Sequence, residues 1–441
     1  MNMSTIKIIS AQEITPDFFE PRSFADDTAS IVSDIISQVR KDGDAALHQL
    51  ASKFDPAAPS QLEIAEEDLA AAAENLRQSQ PELYEALCYS RDLALKFARR
   101  QRESFDNFEV ELEPGLFTGQ KNIPVDRAGL YVPAGRFPLL STVIMTSAPA
   151  LAAGCGEVVL CTPPRPHPDG STKAYADAGI LATAYLCGVH RVFACGGAQS
   201  IAAMAYGTET IPRCDVIVGP GNKFVAEAKR QVYGTVGIDM LAGPTEVFII
   251  ADGSANPAWV AADLLAQAEH DPDAQAVLAT PDENLAQAVA QELELQLETL
   301  STADTARTSI QRNGCIIITK DLEEAAHLAN KKAPEHLELA LDSGAQLEKL
   351  ESLVHNYGSL FIGHGSAEVL GDYAAGLNHT LPTSTSARFA GGLSVRCFLK
   401  TVTTLRTEEG SAGQIKSASA AGLLGDAEGL SAHARAARIR L

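Results

Sequence analysis

Arg191-Val192-Phe193-Ala194-Cys195-Gly196-Gly197-Ala198-Gln199-Ser200-Ile201-Ala202-Ala203-Met204-Ala205-Tyr206 reads as a strand, a tight glycine turn and a helix. The opening run is β-rich and lacks polar alternation, which suits a strand covered on both faces. Glycine permits the close turn, and the new helix presents free N–H groups to an anion or a ribose. The same unit recurs at Val218-Gly219-Pro220-Gly221-Asn222. Working outward, further strands are predicted at 129–132, 157–162 and 215–218, with helices at 141–153, 172–187, 199–206 and 223–233. A second series follows, with strands at 246–251, 276–279, 315–319 and 359–362 and helices at 257–269, 283–297 and 322–330. Alternation of this kind builds parallel sheets with helices on both faces. The expected fold is α/β, two tandem Rossmann-like doubly wound units.

The flanks differ from this core. From about Asp26 to Glu111 apolar residues recur at helical spacing, with no convincing strand. Beyond about Ser386 the alternation is lost, and the chain ends in a helical stretch at 429–440. The expected organisation is a helical region at 1–120, α/β domains at 121–245 and 246–385, and a C-terminal tail at 386–441. A tail with so little core of its own is expected to pack on something else, such as a second copy of the chain.

Bulk properties exclude several classes. The 441 residues carry 56 acidic and 35 basic side chains, a formal charge of -21, and no Lys/Arg block. Such a surface repels phosphate backbones, so nucleic acid is not an expected partner. No Cys-x-x-Cys pair occurs among the eight cysteines, which argues against a zinc ribbon or a dithiol redox motif. The first ten residues lack the pattern of a signal peptide, and no apolar run is long enough to span a bilayer. A soluble, cytoplasmic protein with no membrane partner is the expectation.

The chemistry-bearing residues come in separate segments. Gln267 and His270 sit three apart at the end of an amphipathic helix, so one ion can touch both. The blander alternative is a histidine at the helix's negative end. Ala333-Pro334-Glu335-His336-Leu337-Glu338 is a Pro-led turn displaying adjacent Glu and His before a strand, a candidate acid/base pair. The run from Gly371 to Thr383 contains Asp372, Asn378 and His379 and has the composition of a functional loop. Glu428 and His433 lie in the tail. Imidazole, amide and carboxylate donors without thiolates suit zinc or a similar divalent ion.

Taken together, these segments resemble the histidinol dehydrogenase family. The resemblance is carried by Gly-Gly-Ala-Gln-Ser (196–200), the run at 219–230, Ile238 to Glu246, Gln-Ala-Glu-His-Asp (267–271), Ala-Pro-Glu-His-Leu-Glu (333–338) and the 371–383 loop. It implies Zn2+ held by Gln267, His270, Asp372 and His433, the last from the partner subunit of a homodimer. It implies NAD contacting Tyr131, Gln199 and Asn222. Glu335 and His336 would be the catalytic pair. The substrate would meet Thr245, His379 and Glu428, together with His336 and the metal ligands. The implied reaction is the four-electron oxidation of L-histidinol to L-histidine through the aldehyde, with two NAD used in turn.

Some residues depart from that pattern. Ala134 stands where the family usually carries Gly, and Arg136-Phe137-Pro138-Leu139-Leu140 and Ala387-Arg388-Phe389 look closer to paralogues acting on other small alcohols such as 3-sulfopropanediol. Arg136 beside the pocket would favour an anionic substrate. A non-redox zinc hydrolase using Glu335 as general base would leave the Gly-rich turns idle. A catalytically silent α/β scaffold would leave every acid, base and ligand type idle.

Overall fold

The computed structural model of the chain describes residues 6–22, 28–135 and 138–441. The chain begins with β1 (Lys7–Ser10), followed by α1 (Ala29–Phe54), α2 (Glu66–Ser79) and α3 (Pro81–Arg102). Then come the antiparallel β2 (Phe108–Glu113) and β3 (Leu116–Pro124). The first parallel sheet uses β4 (Arg127–Tyr131), β5 (Glu157–Thr162), β6 (Arg191–Ala194), β7 (Val216–Val218) and β8 (Gly237–Ile238). Its spatial order is β6-β5-β4-β7-β8. The helices connecting it are α4 (Leu140–Ala153), α5 (Ala178–Leu186), α6 (Gly197–Tyr206) and α7 (Lys223–Val232).

The second parallel unit contains β9 (Glu246–Ala251), α8 (Pro257–Ala268), β10 (Gln275–Thr280), α9 (Glu283–Leu297), α10 (Ala303–Asn313) and β11 (Cys315–Ile318). It continues with α11 (Leu322–Lys332), β12 (His336–Ala340), α12 (Ala345–Leu353), β13 (Ser359–Ile362) and the short α13 (Glu368–Tyr373). The order is β1-β11-β10-β9-β12-β13. The tail forms β14 (Leu399–Thr407), α14 (Ala412–Ala427) and α15 (Ser431–Arg438).

Both parallel sheets are covered on two sides. In the first, Ala128 and Leu130 of β4 enter one apolar cluster while Tyr131 enters the opposite one. In the second, Val247 and Ile249 face one cluster, Phe248 and Ile250 the other. This is the doubly wound α/β architecture expected from uninterrupted Val, Ile and Leu runs. No helix of the described residues is long and apolar enough to cross a membrane.

The differences lie at the flanks. The N-terminal segment contributes β1, which pairs with β11 in the distant second sheet, and β2 and β3, which make a third sheet with β14. α1 is broken at Gly43, whose φ of 53° is left-handed, a conformation that favours glycine. The helix read at 172–187 starts later, at Ala178, where Asp177 caps the N–H groups of Gly179 and Ile180. Asp26 lies outside the described residues.

Candidate active site

In the first sheet β4 and β7 are neighbours, with β5 and β6 stepping away on one side and β8 on the other. Ligands of open parallel sheets favour the carboxyl ends of the strands at such a reversal. Tyr131 ends β4, the Gly196-Gly197 turn follows β6, and the Gly219-Pro220-Gly221-Asn222 turn follows β7. All three border one cavity of about 670 Å3 lined by Tyr131, Gln199, Asn222 and, from the second unit, His270. Gly219 has φ 121°, and a Cβ there would collide with the Tyr131 carbonyl. Its turn is clamped from below: Gly219 N–H donates to Asp239 Oδ2 at 2.8 Å, and the buried Lys229 donates to the Gly219 carbonyl while pairing with Asp239. Asn222 caps α7 through Phe224 and Val225 N–H.

The second unit borders this cavity through His270, whose electrostatic partners Asp372 and His379 lie near the amino ends of its central strands. Glu246 opens β9 and His336 opens β12, and the two strands are paired. Glu335 is buried, and its Oε2 accepts from Thr245 Oγ1 at 2.5 Å and from Glu246 N–H at 3.0 Å. His336 Nδ1 lies 3.8 Å from Glu335, 3.8 Å from Glu368 and 3.3 Å from the Glu246 carbonyl. Its Nε2 is 3.6 Å from Asp372 Oδ1 and has no hydrogen-bond partner. Adjacent residues therefore do reach one site, because β12 begins between them.

Electrostatics follow from the crowding. Burial drives the Glu335 carboxyl up to about 7, against the opposing pull of His336, Thr245 and Glu246 N–H. Burial alone would lower His336, but Glu335, Asp372 and Glu368 together raise it well above an ordinary imidazole. Asp372 is pushed up by burial yet ends below the usual carboxylate range, held there by His336, His379 and His270. Burial lowers His379, whose Nε2 sits 3.2 Å from Ser141 Oγ.

The metal candidates divide. His270 and Asp372 lie within electrostatic reach of each other. Gln267 is fully buried, and its amide meets Thr245 and, in the orientation that satisfies both ends, Glu246 N–H and Glu368. It must turn to reach an ion beside Asp372. Glu428 and His433 lie exposed at the far end of the tail, and no interaction joins them to these residues within one copy. Among the described residues no group of three or more His, Cys, Asp or Glu is disposed to hold a metal. One copy thus offers an amide, an imidazole and a carboxylate beside an orphaned buried nitrogen, a donor set that fits zinc once a further ligand arrives.

The sequence reading missed Glu368, the third carboxylate at His336. Its signal was the spacing Glu368-x-x-x-Asp372, one helical turn apart on α13. It also missed the buried Lys332–Glu246 pair at 3.0 Å, which holds the strand start that serves both Glu335 and His336. Lys332→Met strands the Glu246 charge and is expected to cost about 3–5 kcal/mol, read as a lower urea midpoint. A loss under about 1 kcal/mol is what a solvent-exposed pair would give. Arg136 and Phe137 lie outside the described residues, while Arg388 donates to the Lys331 carbonyl and Phe389 is exposed.

The histidinol dehydrogenase family profile matches residues 20–441. The chain is 45% identical over 440 residues to the histidinol dehydrogenase of Thermus thermophilus, covering 98% of this chain and 100% of the relative. It is 44% identical over 416 residues to that of Methylococcus capsulatus, covering 93% and 91%. The crystal structure of histidinol dehydrogenase from Elizabethkingia anophelis superposes with a TM-score of 0.90 at 34% identity, covering 100% of this chain and 99% of that one.

Proposed function

This chain belongs to the histidinol dehydrogenase family, and from that premise we propose that it oxidises L-histidinol to L-histidine through the aldehyde, using zinc and two NAD in turn. One observation carries the reading: a buried His336, ringed by Glu335, Glu368 and Asp372, keeps an Nε2 without a hydrogen-bond partner, and Asp372 and His379 couple it to His270 on the wall of a cavity that also holds Tyr131, Gln199 and Asn222. Gln267, His270, Asp372 and His433 of the partner subunit would hold the zinc. When bound, zinc supplies a Lewis acid and NAD the hydride acceptor.

The protein's own residues then do the following. His336, in its neutral form, takes the hydroxyl proton of the alcohol at Nε2, and Glu335, Glu368 and Asp372, which favour its charged form, stabilise the imidazolium that results. Glu335, poised near neutrality, takes a proton from the water that adds to the aldehyde carbon. His336, having released the first proton to solvent, accepts another in the second oxidation. Thr245 fixes the Glu335 carboxylate, His379 lines the substrate site, and Glu428 of the partner subunit suits the substrate ammonium. An enzyme stopping at the aldehyde has no need of Glu335.

A homodimer sharing its sites is supported by the tail's surface. Leu405, Leu423, Leu424 and Ile439 are exposed by 71%, 69%, 64% and 76%, more apolar surface than a lone arm keeps in water. The same arm bears Glu428 and His433.

The test is NADH absorbance on adding L-histidinol and NAD to zinc-loaded protein, with 3-sulfopropanediol as control. Two NADH per histidinol are expected. A signal with the sulfonated alcohol alone selects the paralogue, and ester or amide turnover without NADH selects a hydrolase. For the metal, His270→Ala is expected to lose bound zinc, measured by atomic emission after dialysis. Full zinc content in that variant would remove His270 from the site.

A further inference from the structure

The cavity between the two units has ends of different chemistry. At one end His270 interacts electrostatically with Asp372 and His379. At the other, α1 runs out at Phe54, Asp55 and Pro56. The electrostatic partners of Asp55 are Gln199, Arg165, Tyr131 and Cys195, and the residues around His336 are not among them. A dinucleotide with its nicotinamide at the catalytic centre therefore has its adenosine at the Asp55 end.

That end is unlike a phosphate site. Asp55 closes α1, so the helix's negative pole adds to its carboxylate. Ile31, Ile35, Phe54 and Pro56 supply an apolar wall suited to a flat heterocycle. Asp55 Oδ2 accepts from Gln199 Nε2 at a long 3.4 Å and takes no other side-chain hydrogen bond among the described residues. Burial pushes its carboxyl up to about 6, against Gln199 and Arg165. A half-desolvated carboxylate this short of donors gains strongly from a pair of hydroxyls. Arg165 shares the wall, but its Nη2 is engaged by the Ala134 and Gly135 carbonyls.

We propose that Asp55 accepts the adenosine ribose hydroxyls of the dinucleotide and, by its charge, excludes a dinucleotide carrying a 2′-phosphate. The assignment rests on the dinucleotide reading of this cavity given above.

Calorimetric titration of zinc-loaded protein with ADP-ribose and with 2′-phospho-ADP-ribose tests it. The native protein is expected to favour ADP-ribose by at least about tenfold, because like charges brought together in a half-desolvated site repel and Arg165, already engaged by the Ala134 and Gly135 carbonyls, offsets only part of that repulsion. Asp55→Asn is expected to shrink that ratio to about threefold or less, since the charge goes and the shape stays. Asp55→Ala is expected to weaken ADP-ribose itself by about fivefold through lost hydrogen bonds. Ratios and affinities unchanged in both variants, with native circular dichroism, overturn the assignment, as does native preference for the 2′-phosphate. If the native protein binds neither probe, the dinucleotide reading itself falls, an outcome distinct from binding that ignores residue 55.

Discussion

Glu335→Gln is expected to lower the rate of complete L-histidinol oxidation by about a thousandfold, within the range usual for a lost general base, while the first NADH per site forms at a rate reduced less than about tenfold. The amide keeps the shape of the carboxyl, and its oxygen still accepts from Thr245 and Glu246 N–H, so the fold and the His336 position are preserved. What disappears is the carboxyl next to His336 that burial raises to about 7, where it can take a proton from water. The sign with pH is fixed by the same shift. A carboxyl pushed up to about 7 is mostly protonated, and inert as a base, below that pH, so the native rate of acid formation should climb as pH rises through about 7. In the variant that limb should be gone. Single-turnover kinetics with L-histidinol and with the aldehyde separate the two oxidations. Equal losses in both would refute the division of labour between Glu335 and His336.

How much of this could be seen in the residues alone follows burial. Most strands of the two parallel sheets were legible because they are apolar on two faces, as in Glu246–Ala251, where every residue is buried, whereas the sequence sets no strand bounds for the two-residue, half-buried β8 or the Glu/His-bearing β12. β2, β3 and β14 were not legible, since their exposed Thr, Lys and Glu positions carry little apolar signal, and the hairpin of β2 and β3 is completed by β14 from nearly three hundred residues away. β1 is four residues long and is a strand only because the edge of β11 accepts it. α10 is polar over most of its length and holds its place through Ala306 and Ile310.

The candidate site divides in the same way. Glu335 and His336 announce themselves as neighbours in the chain, and Gln267 and His270 share a helical face. Glu368 and Lys332 do not, because a lone Glu or Lys on a helix is ordinarily solvated. Only the tertiary fold places the first 3.8 Å from His336 and the second against Glu246. The candidate acid/base pair, Glu335 and His336, also sits at the amino end of β12 beside that of β9, opposite to the end a Rossmann-like reading leads one to search. The two units meet with the carboxyl ends of one sheet facing the amino ends of the other. The proposed dinucleotide cavity and the proposed acid/base centre then come from different units, which is why no single segment contains both.

Two inactive variants are expected to rescue one another. Truncation before Glu428 should leave both parallel units folded, since their apolar clusters draw nothing from residues beyond it, and the buried Ala434 packs only on α14 of the tail itself. It should abolish activity, but loss alone does not say which copy the tail serves. Co-expressing Glu335→Gln with His433→Ala does. If His433 completes the partner's site, a mixed dimer has one site with an intact Glu335 from one chain and an intact His433 from the other, and a second site lacking both. About half the dimers are mixed when chains pair at random, so activity should return to about a quarter of native. Each variant alone should stay near background. With differently tagged chains, the mixed dimer purified through both tags should hold one zinc more firmly than the other. If instead the tail folded back onto its own copy, every site in the mixture would lack either the base or the ligand, and no activity would return.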